Sequence, residues 1–178
     1  MKALALDISS KTGWASSEGR SGVLDLSGHL DDFGKLGFNF RMDLVDLFRD
    51  TTPDVVVIER PFAAGKSDLA RLPAHLVFVA HETAFGWRIA RAEVTPGQWR
   101  KAILGNGGMK RTEAKKAALA WCRSRGLSPR DDNEADALAI LAWWERFGCG
   151  PITGPRRAER DALDTGTAAR RGVDLGAA

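Results

Sequence analysis

No stretch of the sequence approaches the ~20 consecutive apolar residues that a membrane-spanning helix needs. The opening MKALALDISSK is too short and too soon acidic for a signal peptide, so a cytoplasmic location and no membrane partner are expected. Cysteine is scarce. Cys122 and Cys149 stand apart, with no C-x-x-C or Cys/His spacing near either, which excludes a disulfide framework and a zinc site of the usual spacing. Both are expected to be reduced and structural. His29, His75 and His81 form no H-x-x-x-H or comparable pair, so no histidine-based metal site is expected, and there are no internal repeats.

What is present suits one folded domain. With 178 residues, 44% hydrophobic and 28% charged, the chain is long enough to bury a core without covalent staples. The formal net charge of +3 is unevenly spread. Between Thr95 and Arg130 lie nine basic residues, Arg100, Lys101, Lys110, Arg111, Lys115, Lys116, Arg123, Arg125 and Arg130, against the single acid Glu113. That segment carries +8 and the remainder −5, a concentration suited to a surface that meets a polyanion such as nucleic acid. The competing reading is a solvated helix face with acidic partners elsewhere.

Along the chain, Lys2 to Ile8 reads as a strand closed by a Ser-Ser-Lys-Thr-Gly turn. Strands near Gly13 to Ser17 and Gly22 to Leu26 follow, joined by a hairpin loop. From Lys35 to Arg49, Leu36, Phe40, Leu44, Leu47 and Phe48 recur at helical spacing. Asp54 to Glu59 (DVVVIE) is a β-branched run suited to a central parallel strand buried on both faces. The spacing predicts a helix over Lys66 to Phe85, open to interruption at Pro73, and a strand over Trp87 to Val94. A helix around Pro96 to Leu104 then precedes the loop Gly105-Asn106-Gly107-Gly108. Thr112 is expected to cap a helix with the apolar face Ala114, Ala117, Ala118, Trp121 and Cys122, and Pro129 to Asn133 to start the last helix, which runs to about Phe147. Residues 1–150 are expected to form the domain, and 151–178, with almost no large apolar residue, a mobile tail. The order is that of the RNase H fold: an α/β, RNase H-like mixed five-stranded sheet flanked by helices.

Three acids belong to elements otherwise meant for the core. Asp7 ends the first strand, Glu59 ends the fourth, and Asp136 lies in an almost wholly apolar helix. If the first and fourth strands are parallel neighbours, Asp7 and Glu59 meet at one edge and the last helix can bring Asp136 across it. Clustered, dehydrated carboxylates repel one another, and a divalent cation removes the conflict. Mg²⁺ takes oxygen ligands, and two such ions ~3.5–4 Å apart can promote phosphodiester hydrolysis. Asp132 and Asn133 lie four and three residues before Asp136, so either can share its face. Asp131 reads as a helix cap.

These residues carry a resemblance. From about Ala3 to Trp144, the segments LALDISSKTGWA, VVVIERPF, GNGGMKRTEAKK and NEADALAILAW, in that order and spacing, resemble the RuvC family of Holliday-junction resolvases, including its phage-type members. The resemblance implies an endonuclease dependent on Mg²⁺ or Mn²⁺, acting as a homodimer on branched DNA and nicking opposed strands of a four-way junction. It assigns Asp7, Glu59 and Asp136 to metal binding, Phe62 to stacking near the crossover point, and Lys110, Lys115 and Lys116 to DNA contact, with Gly105, Gly107 and Gly108 allowing close approach of the loop. Where the family commonly has Asp or His three residues before the last acid, this chain has Asn133. Asp132 is therefore expected as the fourth catalytic ligand, with Asn133 the alternative.

Three other readings remain open from the sequence. One is a YqgF-type RNase H-fold protein acting on RNA, against which the long helix after Glu59 and Phe62 both weigh. Another is a branched-DNA-binding protein without catalysis, favoured only by Asn133. The last is an actin-like ATPase, suggested by Asp7-x-Ser-x-x-x-Gly but needing two such domains.

Overall fold

In a computed structural model, the structure describes residues 1–61, 68–148 and 152–154, with the side chains of 68–70 excepted. Phe62, Cys149 and nearly all of the tail therefore lie outside the described residues. Five strands form one sheet in the order β3-β2-β1-β4-β5: β1 (Ala3–Asp7), β2 (Lys11–Ser16), β3 (Ser21–Asp25), β4 (Val55–Glu59) and β5 (Ala90–Val94). β1 and β2 pair antiparallel, as do β2 and β3, whereas β4 runs parallel to both β1 and β5. The expected RNase H-like sheet is present.

Strand periodicity sets the layers. The even residues Leu4, Leu6, Val56 and Ile58 pack against Leu36, Phe40 and Leu44 of α1 (Phe33–Thr51) and Leu76 and Val79 of α2 (Asp68–Gly86). The odd residues Ala3, Ala5, Val55 and Val57 pack against Ala137, Ile140 and Trp144 of α5 (Asp132–Phe147). Ala3 pairs with Val55 and Ala5 with Val57, so the same parity carries Asp7 and Glu59 side by side onto the α5 face. α4 (Arg111–Arg123) lies outside α5, with Ala118 and Cys122 packed on Ala135.

Several boundaries differ from expectation. α2 runs through Pro73 without a break, although the proline, sixth in the helix, forgoes one backbone hydrogen bond. β5 starts at Ala90, since α2 closes through Trp87 N–H to the Thr83 carbonyl (3.1 Å) and a left-handed Arg88 (φ 53°). The predicted Pro96 to Leu104 helix is a short α3 (Pro96–Trp99) continued by a π-helical turn, Arg100–Leu104. α4 begins one residue before Thr112. Its cap position is Lys110, whose N–H is accepted by Glu113 Oε2 at 3.3 Å. Beyond α5, Thr153 returns to the outer edge of β5 and exchanges two backbone hydrogen bonds with Arg91, each 2.8 Å. No described helix is long and apolar enough to cross a membrane.

Candidate active site

The sequence-predicted acids meet where β1 and β4 end beneath α5. Asp7 forms a side-chain hydrogen bond with Glu59, and its carboxyl is held well above the usual carboxylate range, first by dehydration and then by the charges of Glu59 and Asp136. Asp136, buried on the first turns of α5, is pushed up to about 7 by the same two causes, burial and then Glu59. Arg100, Lys115 and Arg111 act in the opposite direction on Asp136, and Lys115 on Asp7. Three residues of the basic segment thus supply the counter-charge of the acidic cluster.

Glu59 is held from outside. Its neighbour Arg60 turns away to Glu93, with Nε 2.8 Å and Nη2 2.7 Å from Oε2, so the ion pair that could have made Glu59 a structural acid is not formed. Trp99, a residue the sequence reading passed over, instead donates its indole N–H to Glu59 Oε1 at 2.6 Å. Glu134 is a second omission. Buried three residues after the cap, it accepts from Ser21 Oγ (2.6 Å) and from the Arg130 N–H (2.8 Å), tying the start of α5 to β3. Its signal was its place at the third helical position, where an acid reaches back toward the cap.

The remaining predicted ligands are engaged elsewhere. Asp131 is the helix cap as expected, accepting from the Glu134 N–H at 2.9 Å. Asn133 donates its amide N–H to Asp131 Oδ2 at 3.2 Å, and Asp132 forms an ion pair with Lys115. Lys101, Lys110, Arg111 and Lys116 are exposed. In the glycine loop, a Cβ on Gly107 would come within 2.5 Å of the Gly97 carbonyl, so that glycine serves the packing of the loop on α3. Cys122 is a free, buried thiol pushed up to about 11, chiefly by burial, and is chemically inert.

A hard divalent cation suits this cluster, because every donor is an oxygen and Asp136 Oδ1 is buried with no hydrogen-bond partner. As the side chains stand, among the described residues no three His, Cys, Asp or Glu already close on one point. The proton that burial and neighbouring charges hold on Asp7 is what a cation would replace.

Comparison with known proteins agrees with this fold. No protein-family model matches. The crossover junction endodeoxyribonuclease RuvC of Corynebacterium efficiens is 37% identical over 93 residues, covering 51% of this chain and 40% of that one. The protein of the same name from Corynebacterium diphtheriae is 37% identical over 90 residues, covering 49% and 53%. The matched stretch thus spans about half the length of these curated relatives, or less. Among solved structures, Thermus thermophilus RuvC has a TM-score of 0.66 at 19% identity, covering 86% of this chain and all of that one. The same protein in complex with a Holliday junction substrate has a TM-score of 0.68. The chain is similar to RuvC in sequence over half its length and in fold over 86% of it.

Basic side chains around a RuvC-like acidic cleft suit phosphate contacts, which give affinity without base readout. On the function proposed below, replacing exposed Lys110 and Lys116 together by Ala is expected to weaken junction binding and to lower the slope of log affinity against log salt by about 2, one for each lost contact. Electrophoretic titrations over a range of salt concentrations measure this; an unchanged slope would place DNA elsewhere.

Proposed function

We propose that the chain is a structure-selective DNA endonuclease that resolves four-way junctions by paired nicks, with residues 1–150 as its nuclease domain. The observation that carries this reading is the meeting of Asp7 and Glu59, side by side on one face of the sheet, with Asp136 of α5, one of whose oxygens is unpartnered, while Lys115 and Arg111 of α4 act on the acids. These three side chains would hold Mg²⁺ or Mn²⁺. When bound, two such ions supply a water activated for attack and stabilise the leaving oxygen. Asp132 is the fourth ligand once its Lys115 partner turns to phosphate; full activity in Asp132→Asn beside its loss in Asn133→Ala would transfer that role to Asn133. Phe62 is assigned to stacking at the crossover. A cytoplasmic location belongs to the same reading.

The deciding experiment incubates the purified protein with a labelled four-way junction, linear duplex, single strand and matched RNA, in Mg²⁺ and in EDTA. Symmetric nicks in the junction alone, lost in EDTA, are expected. Binding without cleavage would leave a junction-binding protein, and cleavage of RNA would transfer the reading to RNA processing.

Two opposed nicks call for two active sites, hence a homodimer. Two large apolar side chains stand exposed on α2, Phe78 at 66% and Phe85 at 67%. Sedimentation is expected to give twice the 19.3 kDa chain mass for the wild type and the single mass for Phe78→Glu/Phe85→Glu. A wild-type monomer that still makes paired nicks would refute the pairing.

A further inference from the structure

Resting on the reading above, we infer that Trp99 is the positioning residue for Glu59, its indole N–H fixing the carboxylate in the orientation that metal binding requires. A buried indole N–H needs an acceptor, and backbone carbonyls usually supply one. Trp99 is fully buried, yet its acceptor is a carboxylate at the site, at the short distance of a charge-assisted hydrogen bond. An indole only donates. It therefore neither competes for the cation nor takes a proton, and acts on Glu59 by orienting it.

The backbone holds the indole in register with its target. Glu59 pairs with Val94, and the Arg60 N–H donates to the Val94 carbonyl at 2.8 Å. Directly after Val94, Thr95 and Gln98 form a reciprocal cap, with Thr95 Oγ1 accepting from the Gln98 N–H (3.3 Å) and Gln98 Oε1 from the Thr95 N–H (2.9 Å). Pro96 stiffens the first helical position. Trp99 is thus carried to Glu59 by a short, rigid segment of five residues counted from the strand pair itself. Arg100 stacks on the same ring, 5.2 Å from its centroid, and its charge acts on Asp136, so one ring braces the partners of two acids.

The test compares Mn²⁺ binding by calorimetry in wild type, Trp99→Phe and Glu59→Gln, with ¹⁵N spectra of the six indole N–H groups. Removing an outer partner of a metal ligand typically costs about 10–100-fold in affinity, and that loss is expected in Trp99→Phe with the fold intact. The indole resonance absent from Trp99→Phe should shift on adding Mg²⁺ to the wild type. If Trp99→Phe binds Mn²⁺ like wild type while Glu59→Gln does not, the inference fails and the metal site stands. If wild type and Glu59→Gln bind alike, the site reading fails and the inference with it. Should Trp99→Phe not fold, the wild-type spectrum decides alone: no indole resonance moved by both Mg²⁺ and Glu59→Ala would overturn the assignment.

Discussion

Asp136→Asn is expected to abolish nicking and, in the same protein, to raise the melting temperature of the metal-free form at pH 8. Burial first, and then Glu59, push the Asp136 carboxyl from its usual 3.8 to about 7, against the pull of Arg100, Lys115 and Arg111. The folded chain therefore binds this proton more tightly than the unfolded chain. The stabilisation it brings is complete below pH 4 and is lost as pH rises toward 7. Because Asp7, also raised, shares in the titration, the loss is about 2–4 kcal/mol for the two together. Asparagine keeps the neutral state at every pH. At about 2–4 °C per kcal/mol for a chain of this size, the variant should melt several degrees above the wild type in EDTA at pH 8 and level with it near pH 4. Mg²⁺ should then raise the wild type and leave the variant unmoved. Nicking should fall on the order of a thousand-fold or more. Parallel melting curves for the two proteins from pH 4 to pH 8 would show that the buried carboxylate costs the fold nothing.

The second large effect is steric. Gly13 on β2 is the register partner of Asp7, and the start of α5 crosses directly above it. A Cβ there would lie 1.9 Å from the Asn133 carbonyl oxygen and 2.8 Å from the Glu134 nitrogen. Both are backbone atoms, so the helix itself must move. Gly13→Ala is expected to destabilise the protein by about 1–3 kcal/mol or more, in the manner of an overpacked core. It should also lower nicking by about 100-fold, since a shift of ~1 Å at a catalytic group costs that much. Gly28→Ala is the control, because nothing lies within 4 Å of the added methyl. Melting temperature and junction nicking measure both; a Gly13→Ala protein indistinguishable from wild type would mean that α5 is not seated on this glycine.

The acids were legible in the sequence for one reason. A carboxylate at the end of a β-branched run or inside an apolar helix has no place in a core, so Asp7, Glu59 and Asp136 stood out before their neighbours were known. Their convergence follows from strand order and parity. Trp99 was not legible, because an aromatic residue in a short helix reads as ordinary packing until the acceptor of its N–H is seen. Gly13 was hidden in the same way: in a strand it reads as a weak residue, and only the crossing of α5 gives it meaning. Lys115 was recognised as basic, but its pairing with Asp132 joins residues seventeen apart on different helices, which spacing alone does not disclose.

The return of the chain to the outer edge of β5 bears on how the protein behaves when crowded. An outer strand with free backbone groups is a template on which another polypeptide can add a strand. The paired bonds between Arg91 and Thr153 close that template near its start. A chain shortened to end before Ile152 would retain its acids, its core and its basic helix, yet would expose β5 to sheet-to-sheet joining and aggregate. Among the described residues, the short return at 152–154 thereby covers part of an edge.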